Sequence, residues 1–422
     1  MDIELAVFFG LIVAYGAIAV GLGRFSVTMP VVFVAVGAVF GSRDVFNATS
    51  TEALTEATLA LLLFADASTL SYNRVRHDVQ LPGRLLLIAL PLVMLLGGIV
   101  AYAMFPGEGL GFALLLGAIL APTDAALGLP VFSNPKVPVR IRRALNVESG
   151  LNDGIATPFV TLFLALTLAE SSHHQATWLA SALAEIAIGV GIGVAAGFLG
   201  GRLFATTEKR GWTGAAGEQI GNLALALCAF SAAKALGGNG FVAAFVGGLL
   251  FGHATRERMH VATEFTEITG TVLSLAIWTV FGANLAVKLF SPFDWLALVY
   301  ALLSLTLIRM LPVAISLLRT RMRRDTILMM GWLGPRGLAS IVFALMSFEA
   351  FREYGRPIET LAAAVGWTIL LSVILHGLSA VPLANWYARR LATAEASAPE
   401  LADLPELPAG RRHATGPPQP AG

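Results

Sequence analysis

The sequence predicts an all-α polytopic membrane protein of about thirteen transmembrane helices, and three observations carry that prediction. Of 422 residues, 56% are hydrophobic and only 13% are charged, where a soluble domain carries roughly 25% charged residues. The apolar residues gather into continuous runs of the length a spanning helix needs, about 20 residues. Continuous runs also exclude the alternating pattern of a membrane barrel, and open sheets are not viable in lipid. Finally, the basic residues fall on alternate loops. Nineteen Lys and Arg lie after odd-numbered runs and four (Arg43, Lys288, Arg352 and Arg356) lie after even-numbered ones. That bias puts the first set in the cytoplasm, the N-terminus outside and the C-terminus inside, across the cell (inner) membrane. The formal net charge of +1 hides this segregation.

In chain order the thirteen segments are 4–22, 28–41, 53–69, 84–104, 110–131, 146–169, 178–201, 218–236, 239–252, 264–287, 292–318, 325–349 and 361–388. The first follows Asp2 and Glu4 where a cleavable signal has a basic start, so it reads as a membrane helix. The second and ninth are short, and only Gly237-Gly238-Asn239-Gly240 parts the eighth from the ninth. The seventh carries Gly189, Gly191 and Gly193 with no strand or phosphate context, which reads as close helix packing, at a dimer interface. Cys228 is the single cysteine, which excludes an internal disulfide and reads as a small core residue. His173-His174 reads as a solvated pair in an outer loop. Residues 391–422, rich in Ala, Pro and Gly, read as a disordered cytoplasmic tail, which leaves 1–390 as one transmembrane domain.

An odd helix count permits six helices, a linker and six more in inverted orientation, pairing the fifth segment with the twelfth. The fifth is interrupted by Pro122-Thr123-Asp124 and the twelfth by Gly334-Pro335-Arg336-Gly337. Corresponding interruptions in two halves point to a transporter's binding site.

Interfacial positions aside, few ionisable residues remain inside the segments: Asp66, Asp124, Glu148, Asp153, Glu185, Lys234, Arg309 and Arg336. Each costs about 2.5–3.5 kcal/mol at mid-membrane when unpaired, so the group must pair, titrate or hold an ion. Helix geometry sorts those in the sixth segment. Ser149 and Asp153 share one face, Glu148 and Asn152 another, with the stripes about 100° apart. Arg336 is the expected bidentate partner of Glu148, pinning the sixth segment to the twelfth. Asp124 and Asp153 then remain, with Ser149 and the carbonyls freed near Thr123. Two carboxylates with hydroxyl and carbonyl oxygens suit a small hard cation. Without a cation the two carboxylates repel in low dielectric, and one holds a proton. Competition of cation and proton for the same oxygens is the minimal physics of an exchanger. Asp66 is a candidate third carboxylate. Glu185, Lys234 and Arg309 read as interhelical or snorkelling residues, and His376, before Gly377, as a helix-break residue.

These residues resemble the monovalent cation:proton antiporters of the NhaP and sodium/proton exchanger type. The resemblance rests on Thr123-Asp124, on Glu148-Ser149-Gly150-Leu151-Asn152-Asp153 and on Gly334-Pro335-Arg336-Gly337, and it covers about residues 1–390. It implies a homodimer with core elements at about 84–169 and 292–388 and dimerisation elements at about 1–69 and 178–287. It implies elevator-like alternating access, with Na+ or Li+ held by Asp124, Asp153, Ser149 and the Thr123 carbonyl. Asn152 would support the crossing region. The Asn-Asp form implies electroneutral exchange of one cation for one proton, serving pH homeostasis, with no cofactor and no nucleic-acid partner. Ala125, Gly150, Pro335 and Asp66 replace the family's usual Pro, Leu, Leu and Glu, which bears on ion selection. The same ligands allow K+/H+ exchange. Two other classes fit less well. An intramembrane aspartyl protease shares a proton between two aspartates, but its Gly-x-Gly-Asp pattern surrounds neither Asp124 nor Asp153. A channel or sensor subunit has no need of two broken helices.

Overall fold

The computed structural model describes residues 2–23, 27–40, 48–69, 80–132, 134–171, 177–255, 260–391 and 398–401. The described residues are almost wholly helical, and each predicted apolar run carries helix. Helices α1 (Asp2–Gly23), α2 (Met29–Phe40), α3 (Ala48–Thr69) and α4 (Gln80–Met104) come first. The fifth run is split into α5 (Gly109–Ile119) and α6 (Ala125–Phe132). Then follow α7 (Val139–Ser171), α8 (Trp178–Lys209), α9 (Ala215–Ala235), α10 (Gly240–Thr255) and α11 (His260–Val280), the last extended by a π turn over Phe281–Ala286. The eleventh run forms α12 (Trp295–Leu305) and α13 (Leu307–Ser316), with a break at Thr306 that the apolar pattern does not reveal. The twelfth forms α14 (Arg324–Trp332) and α15 (Leu338–Glu353), and α16 (Glu359–Leu391) is continuous. Several of these helices are long and apolar enough to cross a membrane, among them α4, α7, α8 and α16.

The helices pack as two groups. In one, α8 and α3 lie on α10, while α2, α3 and α9 lie on α11. In the other, α4 packs on α5, α5 on α7, α12 and α6 on α16, and α13 on α14. The groups meet where α3 touches α7 and α15, α10 touches α7, α2 touches α6 and α16, and α11 touches α15. A continuous apolar core joins them, from Phe33 and Phe64 through Leu116 and Phe343. The outer surface is apolar too. Leu183, Leu199 and Leu203 of α8 are exposed, as expected of side chains that face hydrocarbon instead of water.

Four expectations change. Cys228 is exposed on α9, since the helix turns that position outward and a thiol is apolar enough to face lipid. Gly189 and Gly193 serve close packing within the chain, because a Cβ on either would run into the α10 region at Asn239 or Ala243. The tail is ordered at one point: Pro399–Leu401 forms a 3-10 turn with Glu400 fully buried. The Glu400 carboxylate accepts hydrogen bonds from Arg323 N (2.7 Å) and Thr326 Oγ1 (2.8 Å), satisfying amide and hydroxyl donors at the start of α14. Arg140 of α7 donates to Pro399 O at 2.7 Å. His376 interrupts nothing in α16; its contact lies elsewhere, as described below. His173-His174, Arg24, Arg43, Arg74, Arg76, Arg256, Arg258 and residues 402–422 lie outside the described residues.

Candidate functional site: two broken helices crossing beside Asp153

The two interruptions meet. Between α5 and α6 the chain runs extended through Ala121–Asp124, and between α14 and α15 through Leu333–Gly337. Each break frees backbone donors and acceptors that lipid cannot satisfy, and each break satisfies the other. Asp124 N donates to Pro335 O at 2.7 Å. Asp124 Oδ1 accepts from Ala126 N at 2.6 Å and Oδ2 from Leu338 N at 3.0 Å. One aspartate therefore caps the N-termini of both α6 and α15. Arg336 Nη1 donates to the carbonyls of Ala121 and Pro122, the latter at 3.2 Å, covering the C-terminal end of α5. Ser340 Oγ donates to Ile119 O at 2.7 Å. Only glycine fits at 337: a Cβ there would sit 1.9 Å from Asp124 Oδ2.

Helix α7 passes beside this crossing. Asn152 Nδ2 donates to Thr123 Oγ1 at 2.6 Å, and Thr123 Oγ1 lies 3.1 Å from Ser149 Oγ. Asn152 thereby ties α7 to the link between α5 and α6. Asp153, one turn beyond Ser149, keeps Oδ1 buried with no hydrogen-bond partner among the described residues. A cavity of about 100 Å³ is lined by Asp66, Thr123, Asp124, Ser149 and Asp153, with Thr271 and Ser274 of α11 on its far wall. Asp66 arrives from α3, in the other helical group, opposite Gly150, where an added Cβ would stand 3.8 Å from its own. All five residues expected to bind the ion thus line one space. The three carboxylates stand around that space without closing on one point: among the described residues no three His, Cys, Asp or Glu form a metal-holding cluster.

The ion pair differs from expectation. Glu148 Oε1 contacts Arg309 Nη1 at 2.6 Å, and both side chains are buried. Arg336 was expected there, but its guanidinium is drawn to the carbonyls at the end of α5. Those carbonyls form a concentrated negative dipole end one helix nearer. Arg309 comes from α13, and its Nε runs against the backbone of Gly334, where a Cβ would lie 2.3 Å away. Arg309 is the functional residue that sequence reasoning undervalued. The available signal was an arginine ten positions inside the 319-directed end of an apolar run, too deep to snorkel. His376 Nε2 lies 2.9 Å from Trp332 O, the end of α14, and its ring stacks on Trp332 with centroids 4.9 Å apart. Ser372 on the same helix accepts from Arg336 N at 2.7 Å. Lys234, expected to be interhelical or snorkelling, pairs with Glu56 of α3 at 2.6 Å.

A polar crossing of two broken helices inside an apolar helical bundle, with buried carboxylates around a small cavity, defines a membrane transporter for a small ion. The comparisons agree. Residues 9–386 match the family model for the sodium/hydrogen exchanger, transmembrane, and the chain belongs to that family of multi-pass membrane transporters; it is not an enzyme. It is similar in fold to the sodium proton antiporter MjNhaP1 from Methanocaldococcus jannaschii, solved at pH 8. That match has a TM-score of 0.71 at 19% identity and covers 93% of this chain and 99% of that one. A second structure of the same antiporter, from electron microscopy, gives 0.67 at 19% identity over 94% and 100%. A Na(+)/H(+) antiporter of Saccharomyces cerevisiae is 34% identical over 113 residues, 26% of this chain and 11% of that protein. Na(+)/H(+) antiporter 2 of Zygosaccharomyces rouxii is 42% identical over 64 residues, 14% and 8%. The matched stretch therefore spans about a tenth of these curated relatives.

Proposed function

We propose that the protein is a secondary active antiporter that exchanges Na+ or Li+ for a proton, one for one and electroneutrally. Asp153 carries the exchange. Its Oδ1 is the one buried carboxylate oxygen lining the cavity that stands without a hydrogen-bond partner among the described residues. A carboxylate so placed must take either a proton or a cation to offset its burial. With a cation present, Ser149 Oγ and the Thr123 oxygens complete an oxygen cage to which Asp124 adds its carboxylate. With the cation gone, the proton occupies Asp153. Because one site holds either, each traversal carries one or the other, which is exchange.

Alternating access follows from the two helical groups. The group of α4–α7 and α12–α16 is the core that carries the site, and α1–α3 with α8–α11 is the dimerisation scaffold of a homodimer. The core moves as an elevator past Asp66, Thr271 and Ser274, which stay with the scaffold. Thirteen spans, inverted six-helix repeats and an outside N-terminus complete the proposal; the basic loop around Lys136 and Arg140 then faces the cytoplasm. The test is proton flux in proteoliposomes loaded with a pH-sensitive dye and given Na+, Li+ or K+ in turn. Dequenching with Na+ or Li+ is expected. A response to K+ alone would replace the substrate with potassium, and silence with all three would refute exchange.

A further inference from the structure

The four basic residues that stand against the loop bias have unequal fates. Arg43 lies outside the described residues. Arg356 is engaged by Glu108, 3.4 Å from Oε2, and by Thr167 O at 3.3 Å. Lys288 and Arg352 are exposed and form no ion pair or side-chain hydrogen bond among the described residues. Both line the same cavity, about 520 Å³. That volume is within the ~300–1,000 Å³ of small-ligand sites.

The cavity is amphipathic from floor to mouth. Its depth is formed by Ile277 and Phe281 of the α11 region and by Ile341, Leu345 and Phe348 of α15. Close in sequence to lining residues, Phe290, Phe293, Trp295 and Tyr354 are exposed, and Trp and Tyr are the residue types that concentrate at the membrane–water boundary. Phe290 and Phe293 both pack edge-on against Trp367, at 5.2 and 5.5 Å, which fixes the loop that carries Lys288. Two carboxylates also line the space. Asp294 is committed, its Oδ1 accepting from Leu296 N at 2.9 Å and Ala297 N at 3.1 Å as the cap of α12. Glu359 stands in the first turn of α16, where the helix N-terminus compensates it. Both carboxylates are thus held by helix N-termini, whereas the two cations have no ion pair or side-chain hydrogen bond among the described residues.

We propose that this cavity is a binding site for an anionic phospholipid, with one acyl chain against the apolar floor and the phosphate held by Lys288 and Arg352. The lipid bridges the two helical groups, since α11 forms one wall and α15 and α16 the other. A free phosphate has no use for the apolar depth, and a neutral amphiphile has no use for the two cations.

The experiment uses the purified full chain in neutral detergent, with thermal unfolding and native mass spectrometry. Phosphatidylglycerol, phosphatidylcholine and inorganic phosphate are added separately. Phosphatidylglycerol is expected to raise Tm and remain bound. The variant Lys288→Gln/Arg352→Gln is expected to hold it about tenfold or more weakly, while Lys288→Arg/Arg352→Lys retains it. Ala363→Phe, which fills the cavity while keeping both charges, is expected to lose the bound lipid. Equal stabilisation by phosphatidylcholine, an equal effect of phosphate alone, or an undiminished phosphatidylglycerol effect in the double Gln variant would each overturn the site. No transport is measured, so failure here leaves the exchange reading standing.

Discussion

Arg309 Nη1 lies 2.6 Å from Glu148 Oε1, with both side chains sealed inside the group of helices that carries the site. The pair ties α7, which bears Ser149 and Asp153, to α13, which backs the second helix break. It is an ionic contact more than a directed hydrogen bond, since Glu148 Oε2 and the remaining Arg309 nitrogens find no hydrogen-bond partner among the described residues. Removing one member strands a buried charge, which costs about 3–5 kcal/mol. Glu148→Gln and Arg309→Met are each expected to lower the thermal midpoint sharply in detergent, and the double variant is expected to be less damaged than their sum. Strict additivity would mean the two charges do not sense each other.

The two aspartates at the crossing have different jobs, and matching substitutions separate them. Asp124→Asn keeps an acceptor for Ala126 N but turns an amide NH2, a donor, toward Leu338 N, losing one of two caps. The expected loss of stability is about 1–3 kcal/mol, alongside lost transport. Asp153→Asn removes no hydrogen bond at Oδ1, so its thermal midpoint is expected to hold or rise. Equal destabilisation of the two variants would contradict the division.

Gly337→Ala places a methyl 1.9 Å from Asp124 Oδ2. Something must move, and the movable partner is the carboxylate that caps both breaks. The variant is expected to lose exchange and to unfold at lower temperature than Gly191→Ala, where a Cβ meets nothing within 4 Å. Similar midpoints for the two would argue against a tight crossing.

Glu400 predicts a structural role for a short part of the tail. Its carboxylate takes Arg323 N and Thr326 Oγ1 at the start of α14. Glu400→Ala leaves the Arg323 amide without its acceptor, while Thr326 Oγ1 keeps the Tyr387 hydroxyl at 3.0 Å, at a cost of about 1–3 kcal/mol. Truncation after residue 410 is expected to leave the midpoint unchanged, and truncation after 397 to lower it as Glu400→Ala does. No difference between the two truncations would remove the tail from the fold.

Much of this was legible in the sequence, for a physical reason. Lipid forces helices to be long and apolar, so Pro122 and Gly334–Gly337 stand out as the places where backbone must find partners elsewhere. Period alone put Ser149 and Asp153 on one stripe and Glu148 on another. The partner of Glu148 was not legible: two arginines, Arg309 and Arg336, sit at similar depth in neighbouring segments, and only packing decides which reaches it. The break at Thr306 was hidden because its flanks are uniformly apolar. The outward turn of Cys228 was hidden likewise, since lipid-facing and core-facing positions carry the same residue types. Glu400 was missed because the composition of a tail says little about one residue in it.

The proposed exchange rests on Asp153 holding the cation and the proton in turn. The most direct measurement is Na+- and Li+-driven proton flux in proteoliposomes for the unaltered chain and for Asp153→Asn, with thermal unfolding recorded for both. Flux is expected in the first, none in the second, and a folded protein in each. Flux through folded Asp153→Asn at the unaltered rate would contradict it.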